Sequence, residues 1–186
     1  MDIWVGERVR LRGIEPGDWA GFRDFDRDSA VQRNAWMVMP PRSQEGYRHW
    51  AADQAVAKPD GDLFQLAIES LEATTLVGAI SVVEARPADG YFGYGVAIGR
   101  EHQRHGYASD AALVLLRFMF AERRYAKCTV GVYANNAPSL AMHKRLGFAE
   151  EGRIRRFRYA GGQYEDMVYF GITDEEFGQR HGSVRK

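Results

Sequence analysis

Gln103-Arg104-His105-Gly106-Tyr107-Ala108, followed at once by Ser109 and an apolar run that reaches Phe120, is the stretch on which the fold turns. Three strand-like runs lead into it, and a glycine then releases the chain into a helix. The first N–H groups of a helix lack intrahelical partners and the dipole adds partial positive charge, so this end suits an anion such as phosphate. Gly106 lets the backbone turn and approach a ligand without a Cβ in the way, and small Ala108 keeps the next approach clear. The stretch is not a P-loop, because it lacks the Lys-Ser/Thr pair, and it is not G-x-G-x-x-G. Taken alone, Gln-x-x-Gly-x-Ala fits equally a helix that opens on glycine for turn geometry only.

Downstream of Gly106, apolar residues recur at 108, 111, 112, 115, 118 and 119, with Leu113, Leu116 and Phe120 on the other side. This predicts a helix to about Arg124, buried in a layered fold. Cys128 to Tyr133 reads as a strand. Asn136 caps a short helix with Pro138 in its first turn and Gly147 just past its end. Ala149 to Tyr159 and Gln163 to Ile172 form a hairpin through Gly161-Gly162. Asp174 to Lys186 shows little apolar periodicity and is expected to be a frayed tail.

Upstream, Leu63 to Ser70, Thr75 to Glu84 and Tyr91 to Gly99 predict an antiparallel meander. Arg8 to Ile14 alternates basic and apolar residues as a strand does. Pro16 starts a helix that carries Trp19, Phe22 and Phe25 on one stripe to about Asp28. Asn34 to Pro41 reads as a loop whose Trp36, Met37, Val38 and Met39 either line a pocket or tuck under the neighbouring helix. Ser43 opens a further helix toward Val56, closed by the turn Lys58 to Asp62. The expected architecture is a single α/β (α+β) domain over residues 1–186 with its core at 8–172.

Composition narrows the partners. The 186 residues are 45% apolar and 27% charged, and Lys plus Arg equals Asp plus Glu at 25 each. Such a balance provides no overall field to recruit nucleic acid or an anionic membrane, so a small molecule or a peptide is the expected partner. Charges at Asp2, Glu7 and Arg8, and the lack of an apolar stretch of about 20 residues, place the chain in the cytoplasm. Cys128 has no second cysteine to pair with and reads as a buried, inert thiol. The histidines at 49, 102, 105, 143 and 181 show no ligand spacing with Cys128 or with a carboxylate pair, so no metal is expected.

A second motif adds specificity. Asn136-Ala-Pro-Ser139, then Lys144-Arg-Leu-Gly-Phe148, then Glu151-Gly152 lie about 30 residues beyond the first motif, and both together are hard to obtain by accident. With this element order the chain resembles the GNAT N-acetyltransferase superfamily over residues 8 to 172, in particular the subgroup of ribosomal-protein alanine acetyltransferases and spermidine acetyltransferases. The resemblance implies a mixed, mostly antiparallel seven-stranded sheet, splayed between its fourth and fifth strands and flanked by about four helices. It implies that acetyl-CoA lies in that splay. Arg104, His105, Gly106, Tyr107 and Ala108 would take its pyrophosphate, the backbone of Val96, Ala97 and Ile98 its pantetheine arm, and Gln103, Ser109, Asn136 and Ser139 would complete the cofactor contacts. An amine would attack the thioester directly.

That reaction needs a group to accept the proton of an amine whose pKa is about 10, a donor for the thioester oxygen, and a donor for the leaving thiolate. The resemblance assigns the first to Glu84, whose other reading is a solvated strand-end charge beside Arg86. It assigns the second to the backbone N–H of Ala97 or Ile98. For the third, this sequence departs from the spermidine enzymes, placing His143 where they carry a tyrosine, and Ser139 stands one helical turn away on the same face. Ser139, His143 or both are therefore the expected thiolate donors. No Gly-x-Ser-x-Gly elbow is present for a serine hydrolase. Arg153, Arg155, Arg156 and Arg158 crowd the sixth strand. If they line the site they disfavour a polyamine and favour an amine that bears a carboxylate or phosphate, or a peptide N-terminus; otherwise they are a charge-protected edge. A polyamine acetyltransferase and a non-catalytic acyl-CoA sensor are the alternatives, and a homodimer is an open assembly state.

Overall fold

The computed structural model describes residues 2–35 and 37–182. Trp36, expected in the apolar loop, lies outside them, as do residues 183–186. Seven strands form one mixed sheet: β1 (Val9–Arg12), β2 (Phe64–Ser70), β3 (Thr75–Arg86), β4 (Tyr91–Ile98), β5 (Lys127–Tyr133), β6 (Ala149–Ala160) and β7 (Gln163–Thr173). Their order is β1-β2-β3-β4-β5-β7-β6. Six α-helices accompany them among the described residues: α1 (Trp19–Phe25), α2 (Ser29–Ala35), α3 (Gln44–Val56), α4 (Tyr107–Ala121), α5 (Ala137–Leu146) and α6 (Asp174–His181). The fold is thus the expected α/β arrangement, with two helices more than about four. The chain divides into two compact units, one running to Val82 and including Gly95–Val114, the other made of Val83–Tyr94 and the chain from Leu115 on.

In the first unit β1 pairs antiparallel with β2, and β2 with β3. The alternation read in β1 sends Val9 and Leu11 into the core while Arg10 stays in water. Ile14, Phe22 and Ala67 form an apolar cluster with Phe25, Trp50, Leu76 and Ala79 packed against it, and each large side chain so buried contributes about 2 kcal/mol. The helix expected from Pro16 to Asp28 is instead a 3-10 turn, Pro16–Asp18, followed by α1 and then by α2. The break has a local cause. The Asp28 carboxylate accepts the N–H groups of Ala30 and Val31 at 2.8 and 3.1 Å and so starts a new helix. That helix runs to Ala35, into the segment expected to be loop. Ser43 caps α3 by accepting from the Gly46 N–H, as its position suggested.

In the second unit β4 pairs with β5 in parallel at Tyr91–Gly93, the first three of its eight residues. β5 pairs antiparallel with β7, and β7 with β6. A buried aromatic set fills the interior: Phe92 meets Phe120 and Tyr125, and Phe120 meets Phe177. Phe177 corrects the expected frayed tail. Thr173 and Glu176 close a capping box, α6 follows, and Phe177 is fully buried. A single apolar residue on a short helix leaves no periodicity to read, yet it anchors the segment. β6 is an edge strand whose arginines 153, 155 and 156 are exposed.

Candidate active site

In the first unit the stretch after β4 carries two left-handed residues, Arg104 at φ 69° and Gly106 at φ 80°. For glycine that conformation is free, whereas for arginine it is strained. Alternation of this kind turns successive N–H groups toward one side, a concavity suited to an anion. The first bond of α4 runs from the Asp110 N–H to the Gly106 carbonyl at 3.1 Å. The N–H groups of Tyr107, Ala108 and Ser109 therefore precede the ladder. A groove of about 540 Å³ opens here, lined by Glu7, Arg8, Arg104, His105, Gly106 and Tyr107 among others.

Two residues at or beside this groove, Asp110 and Arg8, escaped the sequence reading. Asp110 is 7% exposed, and its carboxylate accepts the N–H groups of Glu7, Arg8 and Val9 at 3.2, 2.7 and 2.9 Å. It straps the entry to β1 onto the first turn of α4. Arg8 follows from that strap, because its guanidinium Nε lies 3.3 Å from where a Gly106 Cβ would stand. Arg8 looked like one of several basic residues in an alternating strand, and only a contact across some hundred residues distinguishes it. The Gln103 side-chain amide donates to the Ile98 carbonyl at 3.2 Å and braces the end of β4. Val96, Ala97 and Ile98 stand on β4 beside β3, where Gly78 is required: a Cβ there would lie 2.2 Å from the Ala97 carbonyl oxygen.

In the second unit α5 brings Ser139 and His143 together. Asn136 caps the helix, its side-chain oxygen accepting the Ser139 N–H at 3.2 Å. His143 is 3% exposed. Its ring lies edge-on to Phe148 and stacked on Phe170. Nδ1 is 2.9 Å from the Ser139 carbonyl and 3.3 Å from Ser139 Oγ, and Nε2 is 3.0 Å from the Tyr94 hydroxyl. Burial pushes the His143 pKa down, against the smaller upward pull of the Ser139 carbonyl, and burial followed by the nearby Cys128 pushes the Tyr94 hydroxyl up. Cys128 is buried and its own pKa is raised by that burial, as an inert thiol requires.

Glu84 belongs to another group. Its carboxylate accepts from the Tyr91 hydroxyl at 3.1 Å and from Arg86 Nε at 3.4 Å, with the side chain 45% exposed. The structure thus joins Ser139 to His143, and Glu84 to Tyr91 and Arg86, as two separate networks. On the edge strand, Arg153 contacts the Asp166 carboxylate at 3.5 Å, and the Arg156 N–H donates to it at 2.9 Å. Arg158 pairs with the buried Glu165 at 2.6 Å. No group of three or more metal-ligating side chains occurs among the described residues.

A family model for the acetyltransferase (GNAT) domain matches residues 8–149. The chain is 36% identical over 183 residues to the SPbeta prophage-derived uncharacterized N-acetyltransferase YokL of Bacillus subtilis, covering 98% of this chain and 99% of that protein. It is 24% identical over 168 residues to the L-amino acid N-acetyltransferase AaaT of Escherichia coli, covering 87% and 95%. Among solved structures, spermidine N-acetyltransferase from Vibrio cholerae in complex with CoA and spermine shares the fold with a TM-score of 0.77 at 20% identity, covering 91% and 97%. The chain belongs to the GNAT acetyltransferase family and is an N-acetyltransferase.

Proposed function

We propose that the protein transfers the acetyl group of acetyl-CoA to the primary amine of an amino acid, a small amine or a peptide N-terminus, by direct attack of the amine on the thioester. The observation that carries this reading is the left-handed pair Arg104 and Gly106 leading into α4. There the pyrophosphate meets N–H groups outside the helical ladder and, from the strand side, the Arg8 guanidinium. The backbone of Val96, Ala97 and Ile98 holds the pantetheine arm, with an N–H of Ala97 or Ile98 turned to the oxygen that becomes negative.

The ammonium form of the amine loses one proton to Glu84, directly or through water, its nitrogen attacks the carbonyl carbon, and the nitrogen of the tetrahedral adduct sheds a second proton to water as the amide forms. The carbon–sulfur bond then breaks and the electron pair leaves on the CoA sulfur. Ser139 Oγ–H donates a hydrogen bond to that thiolate, which takes its proton from water. Release of free CoA thiol from acetyl-CoA in the presence of an amine panel tests the reading. Amine-dependent release is expected, and Arg8→Ala should raise the KM for acetyl-CoA by about tenfold, the equivalent of one charge-assisted hydrogen bond. Tight CoA binding with no amine-dependent release would overturn it in favour of an acyl-CoA sensor.

A further inference from the structure

Neutral histidine has one N–H and one lone pair, and the neighbours of His143 decide which nitrogen has which. The Ser139 carbonyl can only accept, so the nitrogen 2.9 Å from it, Nδ1, carries the hydrogen. Nε2 then holds the lone pair, and the Tyr94 hydroxyl at 3.0 Å donates to it. Ser139 Oγ, 3.3 Å from the same Nδ1, faces an N–H and accepts from it. The serine hydrogen is thereby turned away from the imidazole. It has no acceptor among the described residues, although a serine in a first helical turn commonly satisfies itself on a neighbouring backbone group.

We propose that Tyr94 and His143 are positioning residues that act through Ser139. Tyr94 fixes the imidazole in its Nδ1–H form, and the imidazole holds Ser139 Oγ as an acceptor so that its O–H is presented to the leaving thiolate. This rests on the transferase reading above. It also gives His143 a duty that needs no contact with CoA, which its position behind Ser139 and between Phe148 and Phe170 does not offer. Among the described residues, the groups that face the ring are Tyr94 from β4, Ser139 from α5, and Phe148 and Phe170, with no carboxylate or cation.

Two measurements on the full chain test the proposal. Nitrogen NMR of the His143 ring reads the tautomer without any turnover. A neutral ring protonated at Nδ1 between pH 7.5 and 9 is expected, and an Nε2–H tautomer would overturn the arrangement. Kinetics then read coupling. Ser139→Ala is expected to lower kcat about 100-fold at unchanged KM for acetyl-CoA, in the range for a lost proton or hydrogen-bond donor. His143→Leu and Tyr94→Phe should each lower kcat at least about tenfold in the parent yet change it less than about twofold in the Ser139→Ala background, since residues that work as a unit are not additive. His143→Asn, which keeps an N–H near the Nδ1 position, should stay within about threefold of the parent. Full multiplicative losses in the Ser139→Ala background would mean a merely structural role. Retention of kcat in Ser139→Ala would instead defeat the assignment of Ser139, leaving the tautomer result standing.

Discussion

Burial of His143 makes its uncharged form the one the fold accepts, and this couples stability to pH. The unfolded chain protonates this histidine near its ordinary value of 6.5, whereas the folded chain does so at lower pH. Between the two values the unfolded state binds more protons, so stability falls as pH decreases through 6.5, by at most about 1.4 kcal/mol per pH unit. Above 6.5 the contribution is constant. Thermal denaturation between pH 7.5 and 5 should therefore show a falling Tm in the parent and a flatter profile in His143→Asn; equal slopes would contradict the neutral buried ring. The identities of Ser139 and His143, and their shared helical face, were legible from a four-residue spacing. Tyr94 was not, because its partner lies 49 positions away and nothing in Tyr91–Ile98 marks one aromatic residue over another.

Caps decided where the helices begin and end. Asn136, Pro138 and Gly147 bound α5 as their types require, with Gly147 left-handed at φ 99°, and Ser43 starts α3. The same rule explains the misreadings. In the sequence Asp28 stands at the end of an apolar helical stripe, whereas its carboxylate opens the next helix, and Thr173 both ends a strand and opens α6. The docking of α6 through Phe177, with the His181 ring bonded to the Leu146 carbonyl at 2.8 Å, gives a direct test. Phe177→Ala should cost about 3–5 kcal/mol, the usual range for a buried phenylalanine, read as a shift in chemical denaturation midpoint. A loss under about 1 kcal/mol would restore the frayed tail.

At the scale of the whole molecule, charge bears on the acceptor if β6 lines its site. The chain is neutral overall, yet β6 concentrates four arginines, and Asp166 and Glu165 answer only part of that charge. Arg155 is exposed and has no ion pair among the described residues. A polycationic acceptor near this strand loses about 1 kcal/mol for each like-charge contact at 4 Å in water, roughly fivefold in affinity. The expected outcome is a kcat/KM for spermidine at least about tenfold below that for an amino acid or peptide N-terminus, steepest at low salt. Robust turnover of spermidine at micromolar concentration would overturn it. The sequence by itself determined the element order, the capped short helix and the glycine that opens α4, because periodicity, caps and turns are set by residues within a few positions of each other. Only the tertiary structure decided the Asp110 strap that delivers Arg8, the Tyr94 hydroxyl on His143, and the separation of Glu84 from Ser139. Those depend on which strand meets which helix, and the free energy of that choice comes from burial spread over the core rather than from any local signal.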